Sequence, residues 1–164
     1  MNKKIAKISM LLSISVVLAL IESFIPIFNL IPGMKLGLAN IVIVFAIYDL
    51  TIKDALYIST LRVIIIGILR TGLFSISFFF SLSGALLSIL VMYLIKKYTK
   101  MSIVGVSISG AVAHSIGQIV VAILFLSNIN IIYYLPILLI SSIITGIVIG
   151  MCANRLLKYY KSIY

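Results

Sequence analysis

The stretch Met101-Ser-Ile-Val-Gly-Val-Ser-Ile-Ser-Gly-Ala-Val-Ala-His-Ser-Ile-Gly-Gln-Ile-Val-Val-Ala-Ile-Leu-Phe-Leu126 decides how the rest of the chain is read. It is apolar apart from small hydroxyl residues, His114 and Gln118. Crossing a bilayer takes ~17–25 such residues, and this run is long enough. His114 and Gln118 stand one helical turn apart and share a face, with Ser107 and Ala111 on that face at earlier turns. Neither His114 nor Gln118 is cheap to leave in lipid, so both are predicted to face a protein interior or a cavity. That face is the first place to look for a ligand.

The composition agrees with a membrane protein. Hydrophobic residues make up 63% of the 164, charged residues 10%, and the mean hydropathy is +1.34. A soluble domain carries about 25% charged residues. The apolar runs are continuous rather than alternating, which argues against a β-barrel. Six runs are candidate spans: Ile8–Phe28, Leu36–Tyr48, Asp54–Leu69, Phe74–Ile95, Ile103–Leu126 and Ile131–Leu157. The second and third are short and are joined through Asp49 to Lys53, so they are expected to act as a hairpin, with both crossing or neither. The first run follows Lys3, Lys4 and Lys7 like the start of a signal peptide. It has no small-x-small cleavage site, and Glu22 sits where one would fall, so it reads as a retained first helix. No stretch is long enough to fold separately in water. Residues 1–164 therefore read as a single all-α integral membrane domain, a bundle of six transmembrane helices.

Basic residues set the orientation. With six spans and a cytoplasmic amino terminus, the inner segments hold Lys3, Lys4, Lys7, Lys53, Lys96, Lys97, Lys100, Arg155, Lys158 and Lys161. The outer segments hold Lys35 and Arg70, while Arg62 lies within the third span. Both termini are thus expected in the cytoplasm of a multi-pass protein of the cell membrane. The net charge of +10 is accounted for by topology rather than by nucleic-acid binding. No internal repeat is visible, which weakens an inverted-repeat secondary transporter.

Small residues recur at fours: Ser15, Ala19 and Ser23, beside Ser9 and Ser13; Ser77, Ser81 and Ala85; Gly105, Ser109, Ala113 and Gly117; and Ser142, Gly146, Gly150 and Asn154. Such stripes let helices approach closely. The plain reading is a compact bundle; the sharper one is that a stripe on the terminal first helix docks another membrane protein. Pro32 and Gly33 make a turn between the first two helices, with Lys35 at the mouth of the bundle, either snorkelling to the interface or attracting an anion. Arg62 lies eight residues from Asp54, about 12 Å of rise, deep in a short span. It needs a partner there. Glu22 is the acid away from the cytoplasmic side, Asp49 or Asp54 could also reach if the span tilts, and an anionic substrate is the alternative. Arg70, at a helix end, is the more exposed. Tyr133 and Tyr134 fit an interfacial aromatic belt, with one of the two pointing inward. The single cysteine, Cys152, makes no intrachain disulfide and reads as a small packing residue near the inner face.

Three acidic residues leave little room for an enzyme. There is no Walker lysine loop for ATP hydrolysis, no aspartate cluster to hold Mg²⁺ on a diphosphate, and no serine, histidine and acid arrangement. One histidine and one cysteine cannot supply a metal site. No enzymatic activity, cofactor or metal is expected; a binding and translocating subunit is what remains. Lys35, Arg62 and Arg70, with His114 and Gln118, make the outer half net positive within apolar walls. That suits a largely hydrophobic small molecule carrying a carboxylate, phosphate or quinone-like oxygen.

Ile31-Pro-Gly-Met-Lys-Leu-Gly-Leu-Ala-Asn40, Leu61-Arg-Val63, Gly72-Leu-Phe-Ser75, Ser83-Gly84, and Gly105-Val-Ser through Gly110-Ala-Val-Ala-His114 to Gly117-Gln118 resemble the Gx transporter family. That family is often labelled heptaprenyl diphosphate synthase component I, and it is related to the substrate-binding (S) components of energy-coupling factor importers. The resemblance runs from about Leu20 to Leu157. It implies a six-helix bundle that binds a vitamin-like, isoprenoid or quinone-precursor molecule near the outer face. It further implies a transmembrane coupling subunit and two cytoplasmic ATPases as partners. Carried over, Gly33 to Asn40 form a cap on the site, which adds Asn40 to the candidate binding residues. Ser9, Ser13, Ser15 and Ala19 form the docking stripe, with serine where the family's alanine pair would stand. Two alternatives stay open: a membrane accessory subunit of heptaprenyl diphosphate and isoprenoid-quinone synthesis, and a stand-alone secondary transporter.

Overall fold

The structure is a computed structural model that describes residues 2–24 and 36–163. The described residues form six α-helices and no strand: α1 (Asn2–Ser23), α2 (Leu38–Asp49), α3 (Ile52–Ile66), α4 (Ile76–Tyr98), α5 (Ile103–Leu126) and α6 (Leu135–Ile163). A π-helical turn, Gly67–Thr71, prolongs α3, and a 3-10 turn, Ile129–Tyr134, leads into α6. The helix starts follow local chemistry. Thr51 and Asp54 form a reciprocal capping box at α3, while Ser75 and Ser102 accept the N–H of Phe78 and Gly105 at α4 and α5. Gly72, at φ 82, ends the π turn in a conformation that glycine adopts without strain.

Four of these helical segments are long and apolar enough to cross a membrane: 3–23, 76–98, 103–126 and the run 129–162. The six expected runs correspond to the six helices, with described boundaries that differ by up to six residues. Neither helix of the short hairpin is among the four, and the two differ in length. Extended by its π turn, α3 reaches from Ile52 to Thr71, about 30 Å of rise, a bilayer's hydrocarbon thickness. By contrast, α2 has 12 residues, about 18 Å of rise. Its consecutive residues Val42 to Ile47 are all buried, so it is covered on every side. A helix apolar and buried all round belongs inside a bundle rather than against lipid.

Neighbour relations close a circuit, α1–α2–α6–α5–α4–α3 and back to α1, with α2 also packed on α3. The small-residue stripes account for the tightest seams. A Cβ built on Gly150 would meet Val104 Cα at 2.7 Å, and one on Gly146 would meet Ile108 Cα at 2.8 Å, so α6 lies backbone to backbone on α5. A Cβ on Gly117 would lie 3.0–3.2 Å from the backbone of Ser83 and Gly84 in α4. Cys152 departs from its expected packing role. It lies on the exposed side of α6, because the seam takes Gly146, Gly150 and Ala153 instead. Tyr133 and Tyr134 are both exposed, so neither points inward.

Most basic residues lie where α1, α3 and α5 begin and α2, α4 and α6 end, hereafter the basic end. One apolar core fills that half with side chains from all six helices, among them Leu11, Ile43, Ile58, Met92, Val106 and Ala153. The half toward the far end has the smaller cluster of Val63, Phe78 and Ala85.

Candidate functional site

The short α2 places its own N-terminus inside the bundle. Gly37, the residue before it, abuts Ile149 of α6, fourteen residues in from Leu135 and therefore about 21 Å below the far end of that helix. A helix N-terminus carries unsatisfied N–H groups and a partial positive charge. Gly37 has φ 73 and provides no side-chain cap. The cap comes from another helix: the carboxylate of Glu22, near the end of α1, accepts from Gly37 N at 2.7 Å and Leu38 N at 3.1 Å. Glu22 is 9% exposed, so these bonds form largely away from solvent.

One turn into α2, Asn40 Oδ1 accepts a hydrogen bond from Arg62 Nη1 of α3 at 3.1 Å. Arg62 is 7% exposed. The expected Glu22–Arg62 contact is therefore divided between two intermediaries. Glu22 binds the start of α2, and Arg62 binds Asn40 on its first turn. Ion pairs within contact distance among the described residues are instead Lys4–Asp54 and Lys7–Asp49 at the basic end. All three acids of the chain are thus engaged in holding helices together. Buried along the same face of α3 as Arg62, one turn nearer the basic end, Ser59 is 1% exposed, and its hydroxyl has no hydrogen-bond partner among the described residues.

The remaining expected site residues separate. His114 packs its imidazole directly over Gly84 of α4, at 2.8–2.9 Å from where a Cβ would stand. Glycine at 84 is what admits the ring. Gln118 is 3% exposed, with Oε1 unpartnered among the described residues. Both do face the interior, beside Ala111 and Ser107, which touch Gly146 and Gly150 of α6. Next to them Ser115 and Ser142 join α5 to α6 through a buried hydroxyl pair. Arg70 stays at the rim, exposed, its guanidinium 5.0 Å from the Phe24 ring centroid. Lys35 and the Gly33 end of the proposed cap lie outside the described residues.

The docking stripe divides as well. Ser9 and Ser13 are exposed on the outside of α1, whereas Ser15 is completely buried and Ala19 half-buried. Residues 9 and 13 share one face, and residues 15, 19 and 22 another, so Ser9 and Ser13 cannot serve one surface with Ser15 and Ala19.

A family model described as heptaprenyl diphosphate synthase component I matches residues 11–156. The chain belongs to that family. No curated protein and no solved structure is significantly similar to the chain. For this member of the heptaprenyl diphosphate synthase component I family, the matched region holds every structural part of the site just described: Glu22, Gly37, Asn40, Arg62, His114 and Gln118. The sequence points to Arg62, Asn40, His114 and Gln118, and to Gly37 within the Gly33-to-Asn40 cap, but not to Gly37 as the start of α2 or to Glu22 as its cap. The signal was there in Gly37-Leu38, a glycine opening a helix with no Ser, Thr, Asp or Asn to cap it.

Proposed function

We propose that the chain is the substrate-binding subunit of an energy-coupling factor type importer in the cell membrane, with its basic end and both termini in the cytoplasm. It would bind a small vitamin-like, isoprenoid or quinone-precursor molecule. One observation carries the reading: α2 stops about half-way through the bundle with its N-terminus beside a buried arginine. Half-length helices whose N-termini point at an anionic ligand group near the membrane midplane are a recurring device of transport proteins. The Glu22 carboxylate marks where such a group is favourable, and Arg62 supplies donors fit for a carboxylate or phosphate. The apolar helices around them suit the rest of an amphiphilic molecule. On this reading the head of the ligand lies deeper than the outer mouth.

Under this reading the chain has no catalytic role of its own, and its three acids serve as helix ties. Ser9 and Ser13, on the exposed face of α1, are what remains of the surface offered to a coupling subunit. The family's own description favours a second reading, a membrane accessory subunit of heptaprenyl diphosphate synthesis. Copurification from native membranes separates them. A membrane coupling protein with ATPases is the expected result. A soluble prenyl synthase in their place establishes the second reading. Uptake driven by an ion gradient into liposomes holding this chain alone would displace both.

A further inference from the structure

Charge is spread unevenly around the basic end. The ends of α1, α2 and α3 hold Lys3, Lys4, Lys7 and Lys53 together with Asp49 and Asp54. Both acids are engaged there, Lys4–Asp54 at 2.9 Å and Lys7–Asp49 at 2.5 Å. No acidic residue follows Asp54 in the sequence. The ends of α4 and α6, with the linker into α5, therefore carry Lys96, Lys97, Lys100, Arg155, Lys158 and Lys161 and no acid. Lys96 is turned inward, where its ammonium donates to the backbone carbonyl of Ile47 in α2 at 2.6 Å. The other five are exposed. Lys97 lies near two tyrosine rings, 5.9 Å from the Tyr93 centroid and 5.3 Å from that of Tyr98.

These cations continue the exposed apolar faces of their helices. On α4 the exposed Leu86, Leu90 and Leu94 recur at fours and run into Lys97 and Tyr98. On α6 the exposed Ile144, Val148 and Met151 run into Arg155, Lys158 and Tyr159 on the same face. An apolar stripe that ends in lysine, arginine and tyrosine marks the level of the phospholipid headgroups, where basic side chains reach phosphate while their stems stay on apolar surface. A surface built for an acidic protein in water needs no such apolar approach. We propose that the edge of the basic end formed by α4, α5 and α6 binds the phosphates of anionic membrane lipids and gathers them in preference to zwitterionic ones. The edge formed by α1 and α3, partly neutralised by its own aspartates, gathers them less. The attraction grows with the number of cations near the headgroups and is screened by salt. It holds whichever function and orientation the bundle has.

The chain has no tryptophan, so a single one introduced into the full-length protein reports its own lipid neighbours. Tyr98→Trp puts it beside Lys97, and Tyr57→Trp puts it one turn past Lys53 on the exposed face of α3. In bilayers of phosphatidylcholine and phosphatidylglycerol in equal amounts, with dibrominated chains on one lipid or the other, fluorescence quenching gives their relative affinity at each position. Tyr98→Trp should report at least about a threefold preference for phosphatidylglycerol, and Tyr57→Trp at most about half of that. Adding Lys97→Gln, Lys100→Gln, Lys158→Gln and Lys161→Gln should abolish the preference at Tyr98→Trp. If that variant does not accumulate, salt at about 1 M, which shortens the screening length to about 3 Å, should abolish it with the lysines in place. No preference at Tyr98→Trp, an equal one at both positions, or one that survives both treatments overturns the proposal. So does an absent preference in a protein whose lysine-to-glutamine variant loses a copurified partner, the result expected of a surface for an acidic protein.

Discussion

Replacing Glu22 by Gln tests whether the fold depends on a cap borrowed from another helix. The carboxylate accepts two backbone N–H bonds, at 2.7 and 3.1 Å, in a setting that is 9% exposed. Hydrogen bonds to a charged group contribute ~1.5–3 kcal/mol each and neutral ones ~0.5–1.5. An amide has one accepting oxygen, so the Gln variant loses one bond and weakens the other. It also gives up the favourable placement of a negative charge at a helix N-terminus, ~0.3–2 kcal/mol. The net expectation is a loss of about 2–4 kcal/mol, and somewhat more for Glu22→Ala, which leaves both N–H groups buried and unpaired. At roughly 2–4 °C per kcal/mol for a chain of this size, the melting temperature should fall by ~5–15 °C. Thermal unfolding of the detergent-purified protein, followed by loss of the monodisperse size-exclusion peak, reads this directly. The residue is nearly isosteric, so no cavity or clash complicates the comparison. A Gln variant within about 1 °C of the parent would refute the idea that Glu22 caps α2.

Three further outcomes are expected. Asn40→Leu should destabilise by ~3 kcal/mol because Arg62 is left buried without its acceptor, whereas Asn40→Leu with Arg62→Leu should return close to the parent; additive losses in denaturant titrations would remove the pairing. Gly150→Ala, whose Cβ would lie 2.7 Å from Val104 Cα, should cost ~1–3 kcal/mol, while Gly105→Ala, with its nearest contact at 3.5 Å, should be neutral or mildly stabilising. Equal stabilities would show that α5 and α6 do not depend on close backbone approach. In a Cys152→Ser background, Ile129→Cys should label from outside the cell and Thr99→Cys from inside, and the reverse pattern inverts the proposed orientation.

Much of the fold was legible without coordinates, because hydropathy and helix-breaking signals are local. The run Ile103–Leu126 coincides with α5, and Phe74–Ile95 differs from α4 by two residues at one end and three at the other. Continuous apolar runs have one solution in a bilayer, a helix that satisfies its own backbone. The glycine and serine stripes of α5 and α6 were equally readable, since four-residue spacing fixes a shared face before any partner is known. His114 and Gln118 face inward for the same reason, the cost of meeting lipid. What tertiary structure alone decided is which way each helix turns and how far it reaches. A helix apolar on every side carries no amphipathic signature, so nothing local tells Ser9 and Ser13 to face out while Ser15 and Ala19 face in. Nor did composition show that α2 stops half-way and is enclosed by α1, α3 and α6. That depth is set by its neighbours, and it is why Glu22 caps a helix and Asn40 takes the arginine.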